Sequence, residues 1–133
     1  MEGKKLLELF FQLAPMLPKI LDMEDNMIVW ATDKEKYTLM ITPKTSEWAA
    51  FNTKEGDNIR AGIGPVVMKT KKASHAVIPA DVFGIPIRAS AYPIIENGEV
   101  LGVVGISLGV NTEKDISEMA ANLANMCAKL YYR

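Results

Sequence analysis

A tight turn at Asn97-Gly98, flanked by β-branched runs on both sides, constrains this chain more than any other feature. Asn-Gly is the strongest short-range signal for a β-hairpin, because both central residues of the favoured turn need a positive φ angle. The sequence therefore predicts a hairpin over residues 83–108, and a two-residue loop fixes its register. The predicted cross-strand pairs are Ile94 with Leu101, Tyr92 with Val103, Ala91 with Val104, Ser90 with Gly105, Ala89 with Ile106, Arg88 with Ser107, and Ile87 with Leu108.

Side chains alternate between the two faces of a strand, so this register assigns chemically different faces to the hairpin. One face is wholly apolar and needs cover; it carries Ile87, Ala89, Ala91, Val104, Ile106 and Leu108. The other combines small or hydrogen-bonding side chains with one cation; it carries Arg88, Ser90, Tyr92, Val103, Gly105 and Ser107. The second face lacks the alternating Lys and Glu of a solvated surface. We therefore expect another segment to pack over it and to leave a pocket.

Composition limits the class of protein. The 133 residues are 49% apolar and 23% charged, which is typical of one soluble domain spanning residues 1–133. The net charge of −1 gives no broad positive field for nucleic acid. The sequence has no apolar run of the roughly 18 to 20 residues that would span a bilayer, and it has no secretory signal pattern. A single cysteine excludes an internal disulfide. We expect a cytoplasmic protein that contacts neither nucleic acid nor membrane.

The N-terminal helical segment, residues 1–23, contains a helix over residues 4–14 with an unusually wide apolar surface. One stripe holds Leu6, Leu9, Phe10 and Leu13, and a second holds Leu7, Phe11 and Ala14. The first stripe is expected to cover the sheet. The second then needs a partner, so the sequence predicts a homodimer formed through this helix.

The remaining elements predict an α+β fold with five antiparallel strands. Strands are expected over residues 27–32 and 36–42, and a third lies around residues 75–78; the weakly patterned residues 43–80 also hold a helix over 64–71. The strand over residues 100–108 is apolar on both faces, as expected at the centre of a sheet. A C-terminal helix over residues 112–131 places Cys127 on its apolar stripe, where the thiol should be inert.

Catalytic and metal-binding chemistry is thinly represented. With one histidine and one cysteine in different elements, we expect no nucleophile paired with a base and no metal site. Haem would need His75 as its axial ligand. The glycine-containing run over residues 61–65 lacks the context of a phosphate loop.

The candidate ligand-binding residues are polar or adaptable side chains on the predicted pocket face and in the segment that covers it. Arg88 pairs with an internal carboxylate or with an anionic or carbonyl ligand, because an unpaired buried charge is too costly. Trp48 serves as a core plug or as a pocket lid. The full set of candidates is Arg88, Ser90, Tyr92, His75, Trp48, Tyr37, Met68 and Phe83.

Several short runs carry a family resemblance. They are residues 31–37 (ATDKEKY), 54–57 (KEGD), 62–64 (GIG), 82–86 (VFGIP), 88–94 (RASAYPI) and 98–108 (GEVLGVVGISL). In this order they resemble the PAS-like, single-Cache-like sensor domain of bacterial chemoreceptors of the methyl-accepting chemotaxis type. The resemblance implies a five-stranded antiparallel sheet with N- and C-terminal helices on one face and a ligand pocket on the other. The sequence departs from the usual arrangement by ending at Tyr131-Tyr132-Arg133 without a signalling helix.

The resemblance implies a non-catalytic sensory domain that binds a small molecule in bacterial signal transduction or chemotaxis, without a bound cofactor and with a signalling protein as a further partner. One alternative is a dimerisation or scaffold module whose pocket is filled by side chains. Haem or flavin sensors and an unrecognised enzyme remain open as well. The ligand's identity is left open by the sequence.

Overall fold

The computed structural model describes residues 3–110. Its helices are α1 (Gly3–Leu13), α2 (Leu17–Ile20), α3 (Ile63–Thr70) and α4 (Ala80–Phe83), with a short 3-10 turn at Ser46–Trp48. Its strands are β1 (Met27–Thr32), β2 (Tyr37–Ile41), β3 (Ser74–Ile78), β4 (Ile87–Glu96) and β5 (Glu99–Gly109). The predicted C-terminal helix over residues 112–131 and Cys127 lie outside the described residues.

The strands form one antiparallel sheet in the order β2-β1-β5-β4-β3. β5 occupies the centre, as its apolar sequence predicted. The β1–β2 connection is closed by Asp33, whose Oδ1 accepts hydrogen bonds from the backbone N–H groups of Glu35 and Lys36 at 2.7 and 2.8 Å. These two bonds lower the pKa of the Asp33 carboxyl. The predicted α+β, PAS-like sheet is confirmed.

The register of the β4–β5 hairpin differs from the prediction beyond its first two pairs. Glu96 pairs with Glu99 and Ile95 with Val100, as a two-residue turn requires, but Ile94 then pairs with Gly102. The extra residue, Leu101, forms a bulge that shifts every later pair by one position. The predicted register was therefore wrong from Ile94 onward.

Because side chains alternate between the faces of a strand, shifting β5 by one residue relative to β4 changes which β4 side chains share a face with which β5 side chains. The face that we call the cavity face carries Ile87, Ala89 and Ala91 of β4 together with Val103 and Ser107 of β5, and Ile28 and Trp30 of β1. The opposite face, called the helix face, carries Met27, Val29 and Ala31 of β1 together with Ile94, Val104, Ile106 and Leu108. Two separate apolar layers thus sandwich the sheet.

The helix face is covered by α1, but not by the stripe that was expected to do so. Leu7, Phe10 and Ala14 pack against the strands. Leu6, Phe11 and Leu13 keep 38%, 40% and 49% of their surface exposed. The assignment of Leu6 and Leu13 to the sheet, and of Leu7 and Ala14 to the outer stripe, was wrong. The helix does carry exposed apolar side chains, as predicted.

The cavity face is covered by α3 and by the segment between β2 and β3. Ile63 and Val67 of α3 are buried there with Trp48 and Phe83. The segment 46–62, α3 and Phe83 of α4 thus form a roof over the sheet. The sequence predicted such a cover from the segment 43–80. None of the helices within residues 3–110 is long and apolar enough to cross a membrane.

Candidate functional site

A small, partly open cavity lies between the cavity face of the sheet and the roof. Its volume is about 20 Å³, measured for the centre of a water-sized sphere, which is room for about one water molecule. The lining is almost entirely apolar. It consists of Ile28, Trp30, Tyr37, Met40, Phe51, Ile63, Gly64, Ile78, Phe83, Ile87, Ala89 and Ser107. We call this space the inner cavity.

One buried hydrogen bond orders the floor of the inner cavity. The Trp30 indole Nε1 donates to the Ser107 hydroxyl at 3.0 Å, and both residues are at least 95% buried. Trp30 lies on β1 and Ser107 on the neighbouring β5. A buried indole N–H needs such a partner, because an unsatisfied donor is costly. This bond therefore fixes the indole plane beside the cavity.

Gly105 supplies the space that the indole occupies. A methyl group at Gly105 would overlap the Trp30 ring carbons Cζ2 and Cε2 and would lie 2.8 Å from the Ser90 backbone oxygen. Any larger side chain at this position would displace the ring. The orientation of Trp30 therefore depends on the absence of a side chain at Gly105.

Tyr37 forms part of the cavity wall and stands edge-on to Trp30, with ring centroids 6.1 Å apart and planes at 73°. Burial raises the pKa of its hydroxyl above the usual value of about 10. The positive charge of Arg60 acts in the opposite direction, and the negative charge of Asp57 adds to the increase. The hydroxyl is neutral at physiological pH.

This pKa increase predicts a pH-dependent loss of stability. The folded chain holds the Tyr37 proton more tightly than the unfolded chain, so this contribution is complete below pH of about 10 and is lost as pH rises through the folded-state pKa. The free energy of unfolding, measured by urea at pH 8 and pH 11, should fall less in Tyr37→Phe than in the wild type. Tyr92→Phe is the control, since Tyr92 is 57% exposed. Equal losses in the wild type and Tyr37→Phe would contradict the prediction.

A second, polar space adjoins the inner cavity on the outside. It has a volume of about 250 Å³ and is lined by Tyr37, Thr53, Asn58, Arg60, Ala61, Asp81, Val82 and Phe83. We call it the outer groove. Tyr37 and Phe83 border both spaces, so their side chains separate the buried cavity from the solvent-facing groove.

The roof is held by stacked aromatic side chains. Phe51 stacks on Phe83 at 5.9 Å and meets Trp48 edge-on at 5.8 Å. Trp48 is 4% exposed, and its Nε1 donates to the Asp25 backbone oxygen at 3.0 Å. Of the two roles considered for Trp48, this placement favours the core plug, since the side chain does not line the inner cavity.

The predicted site residues divide between the two faces. Tyr37 and Phe83 line the inner cavity, and Met68 packs against the aliphatic and aromatic cluster around it. Arg88, Ser90, Tyr92 and His75 lie on the other side of the sheet, because the Leu101 bulge shifts the register. They therefore do not line the inner cavity. His75, Ser90 and Tyr92 line a separate, more open pocket of about 240 Å³ on the helix face, and their role in ligand binding stays a prediction.

The residues on the helix face make contacts that do not involve the inner cavity. His75 Nδ1 and the Ser90 hydroxyl share a hydrogen bond of 2.8 Å across β3 and β4. Arg88 is exposed, so it has no unpaired buried charge to neutralise. Haem bound in the inner cavity would not reach His75, the one histidine in the chain.

The prediction missed Trp30 as a cavity residue and did not name Ser107 as a ligand candidate. The sequence did predict Ser107, Val103 and Gly105 of β5 on the pocket face, and the structure confirms all three. The bulge changed only which β4 side chains share that face with them. Within residues 3–110 no group of three or more metal-ligating side chains is found.

Comparison with known proteins adds one relative. No family model matches the chain. The chain is similar to a bacterial sensory transducer. It is 28% identical over 125 residues to the Bacillus subtilis (strain 168) protein named "Putative sensory transducer protein YfmS". The match covers 92% of this chain and 42% of the relative, so the chain spans less than half the length of that protein. The match supports a place among sensory transducers and does not distinguish a PAS from a Cache type.

Proposed function

We propose that this chain is a cytoplasmic, non-catalytic sensory domain that binds a small molecule in the inner cavity and acts in bacterial signal transduction, including chemotaxis. The observation that carries the sensory role is the similarity to a sensory transducer protein along 92% of the chain. The inner cavity, which is bounded by the sheet and an aromatic roof and has an apolar lining, supports the ligand-binding role, since small-molecule sites are largely apolar and concave.

The position of the inner cavity suggests how binding would be transmitted. Its floor is formed by Trp30 of β1 and Ser107 of β5, and the helix faces of the same strands carry α1. A ligand that changes the position of these strands would also move α1. Such a ligand shifts the equilibrium only if its affinity differs between the two arrangements.

The second candidate function is a dimerisation or scaffold module whose cavity is filled by side chains. The volume of about 20 Å³ is the observation that favours it. A ligand larger than water would have to displace the half-buried Met40 and Phe51 side chains. In the scaffold alternative, Met40 and Phe51 keep the positions that they have in this structure and fill the space.

Mass spectrometry of the purified chain separates the two candidates. Native spectra, compared with spectra after denaturation, should reveal a small molecule released on unfolding, and its affinity can be measured by adding it back. An absorbance spectrum of the same sample tests for haem or flavin. If neither the released fraction nor a library of small molecules binds to the chain, the result supports the scaffold module.

We also propose a homodimer formed through α1. Leu6 and Leu13 lie two turns apart on one side of α1 and are 38% and 49% exposed, and burying a large apolar side chain contributes roughly 1.5 to 3 kcal/mol. Light scattering should show a dimer for the intact chain and a monomer for the double variant Leu6→Glu, Leu13→Glu. Gln12→Glu, a charge change at an exposed polar position of the same helix, is the control and should remain dimeric. A dimeric double variant would place the interface elsewhere.

A further inference from the structure

We infer that the ligand of the inner cavity is uncharged: a small molecule with an apolar body and one oxygen, in the class of short alcohols and ketones. This inference rests on the proposed ligand-binding function and adds the chemical class of the ligand.

The lining of the inner cavity carries the argument. None of the described residues that line it has a charged side chain, and its polar side chains are the Ser107 and Tyr37 hydroxyls. Moving an isolated carboxylate or ammonium into such surroundings is far more costly than the contacts of a small ligand can offset. A charged molecule would have to become neutral before it bound.

Two hydroxyls in the lining are available as hydrogen-bond donors to a ligand oxygen. Ser107 accepts the Trp30 Nε1 hydrogen bond and still has its own proton to donate. The Tyr37 hydroxyl stays protonated because burial raises its pKa. Both can therefore donate to an alcohol or ketone oxygen, and the surrounding aliphatic and aromatic groups would pack against the carbon atoms.

The charged side chains of the outer groove do not change this preference. Arg60 and Asp81 line the outer groove, are exposed to solvent, and are separated from the inner cavity by Tyr37 and Phe83. Because the groove presents both signs of charge, it selects neither anions nor cations. The apolar lining of the inner cavity, and not the outer groove, would then exclude charged molecules.

Three probes of nearly equal size test the inference on the intact chain: 1-propanol, propionate and propylammonium. The readout is the indole ¹H–¹⁵N signal of Trp30, with that of Trp48 as internal reference because Trp48 does not line the cavity. Propanol should shift the Trp30 signal saturably at pH 7, and the two ions should bind on the order of 100-fold more weakly. A simple carboxylic acid with a pKa of about 5 is neutral in roughly one molecule in 100 at pH 7. Propionate binding should therefore strengthen about tenfold when the pH is lowered from 7 to 6.

Variants locate the oxygen contact. Ser107→Ala should weaken propanol binding about tenfold, which matches one hydrogen bond. Ser107→Thr, which keeps the hydroxyl, should retain most of the affinity, and Ser90→Ala on the helix face should retain all of it. If propionate or propylammonium shifts the Trp30 signal at pH 7 and binds as tightly as propanol, the inference that the ligand is uncharged is wrong. The proposed sensory function is not affected by that result. Absence of a Trp30 shift with all three probes would overturn the inference itself, and the released-ligand experiment would then decide the proposed function independently.

Discussion

Gly105→Ala should lower the free energy of unfolding by about 1 to 3 kcal/mol, the usual cost of forcing extra volume into a packed core. The added methyl group would overlap the Trp30 indole, and the ring cannot move away without breaking its bond to Ser107. Urea unfolding followed by tryptophan fluorescence measures the loss.

Gly64→Ala is the matched control, because Gly64 also lines the inner cavity and yet has room for a methyl group. The nearest atom to that methyl group is Ile59 Cγ2 at 3.9 Å, and the position is helical. Alanine should leave stability unchanged or raise it by about 0.5 to 1 kcal/mol. Equal stability of Gly105→Ala and the wild type would mean that Trp30 does not pack over Gly105.

Ala89→Val should abolish ligand binding, because Ala89 is 1% exposed and lines an inner cavity with room for about one water molecule. Two extra methyl groups would occupy that volume. We expect an affinity loss of more than 100-fold, measured by calorimetry with the molecule released from the wild-type chain, while the chain stays folded at a cost of about 1 to 3 kcal/mol.

Ser90→Val is the control at the next position of the same strand. Ser90 faces α1 and His75, so an equal increase in volume there should leave ligand affinity within about twofold. In the register predicted from the sequence, Ser90 would line the pocket and Ala89 would face the helix. That register therefore predicts loss of binding in Ser90→Val and not in Ala89→Val. Loss of binding in Ser90→Val but not in Ala89→Val would therefore contradict the cavity described above.

The sequence predicted the strands better than it predicted their faces. Hydrophobic alternation and turn residues are local signals, so the Asn97-Gly98 turn and all five strands could be identified. A face assignment also depends on the register remaining constant along the whole strand. One bulged residue, Leu101, was enough to exchange the side chains of β4 between the pocket and the helix.

Pro93 gave no signal of this bulge. Proline cannot donate to the hydrogen-bond ladder, and within a sheet it is confined mainly to edges and bulges. β3 pairs with β4 only as far as Ala91, so at Pro93 the strand is paired with β5 alone and the proline lies at a local edge of the sheet. An edge position accommodates proline without a change of register. The bulge at Leu101 therefore could not be predicted from Pro93.

The candidate site could be predicted only in part, because its residues come from segments that are distant in the sequence. Trp30 and Ser107 are 77 residues apart and meet only when β1 pairs with β5. Arg88, the single cation on the predicted pocket face, was a candidate for an anionic or carbonyl ligand. The described lining of the inner cavity has no cation, which favours a neutral molecule there.

The central claim is that a small molecule binds between the cavity face of the sheet and its roof. The most direct test is a crystal structure of the chain with the molecule that it releases on denaturation. We predict electron density for that molecule in contact with Trp30 and Ser107, with Met40 or Phe51 displaced. Density on the helix face beside Tyr92 and His75, with the inner cavity unchanged, would contradict the claim.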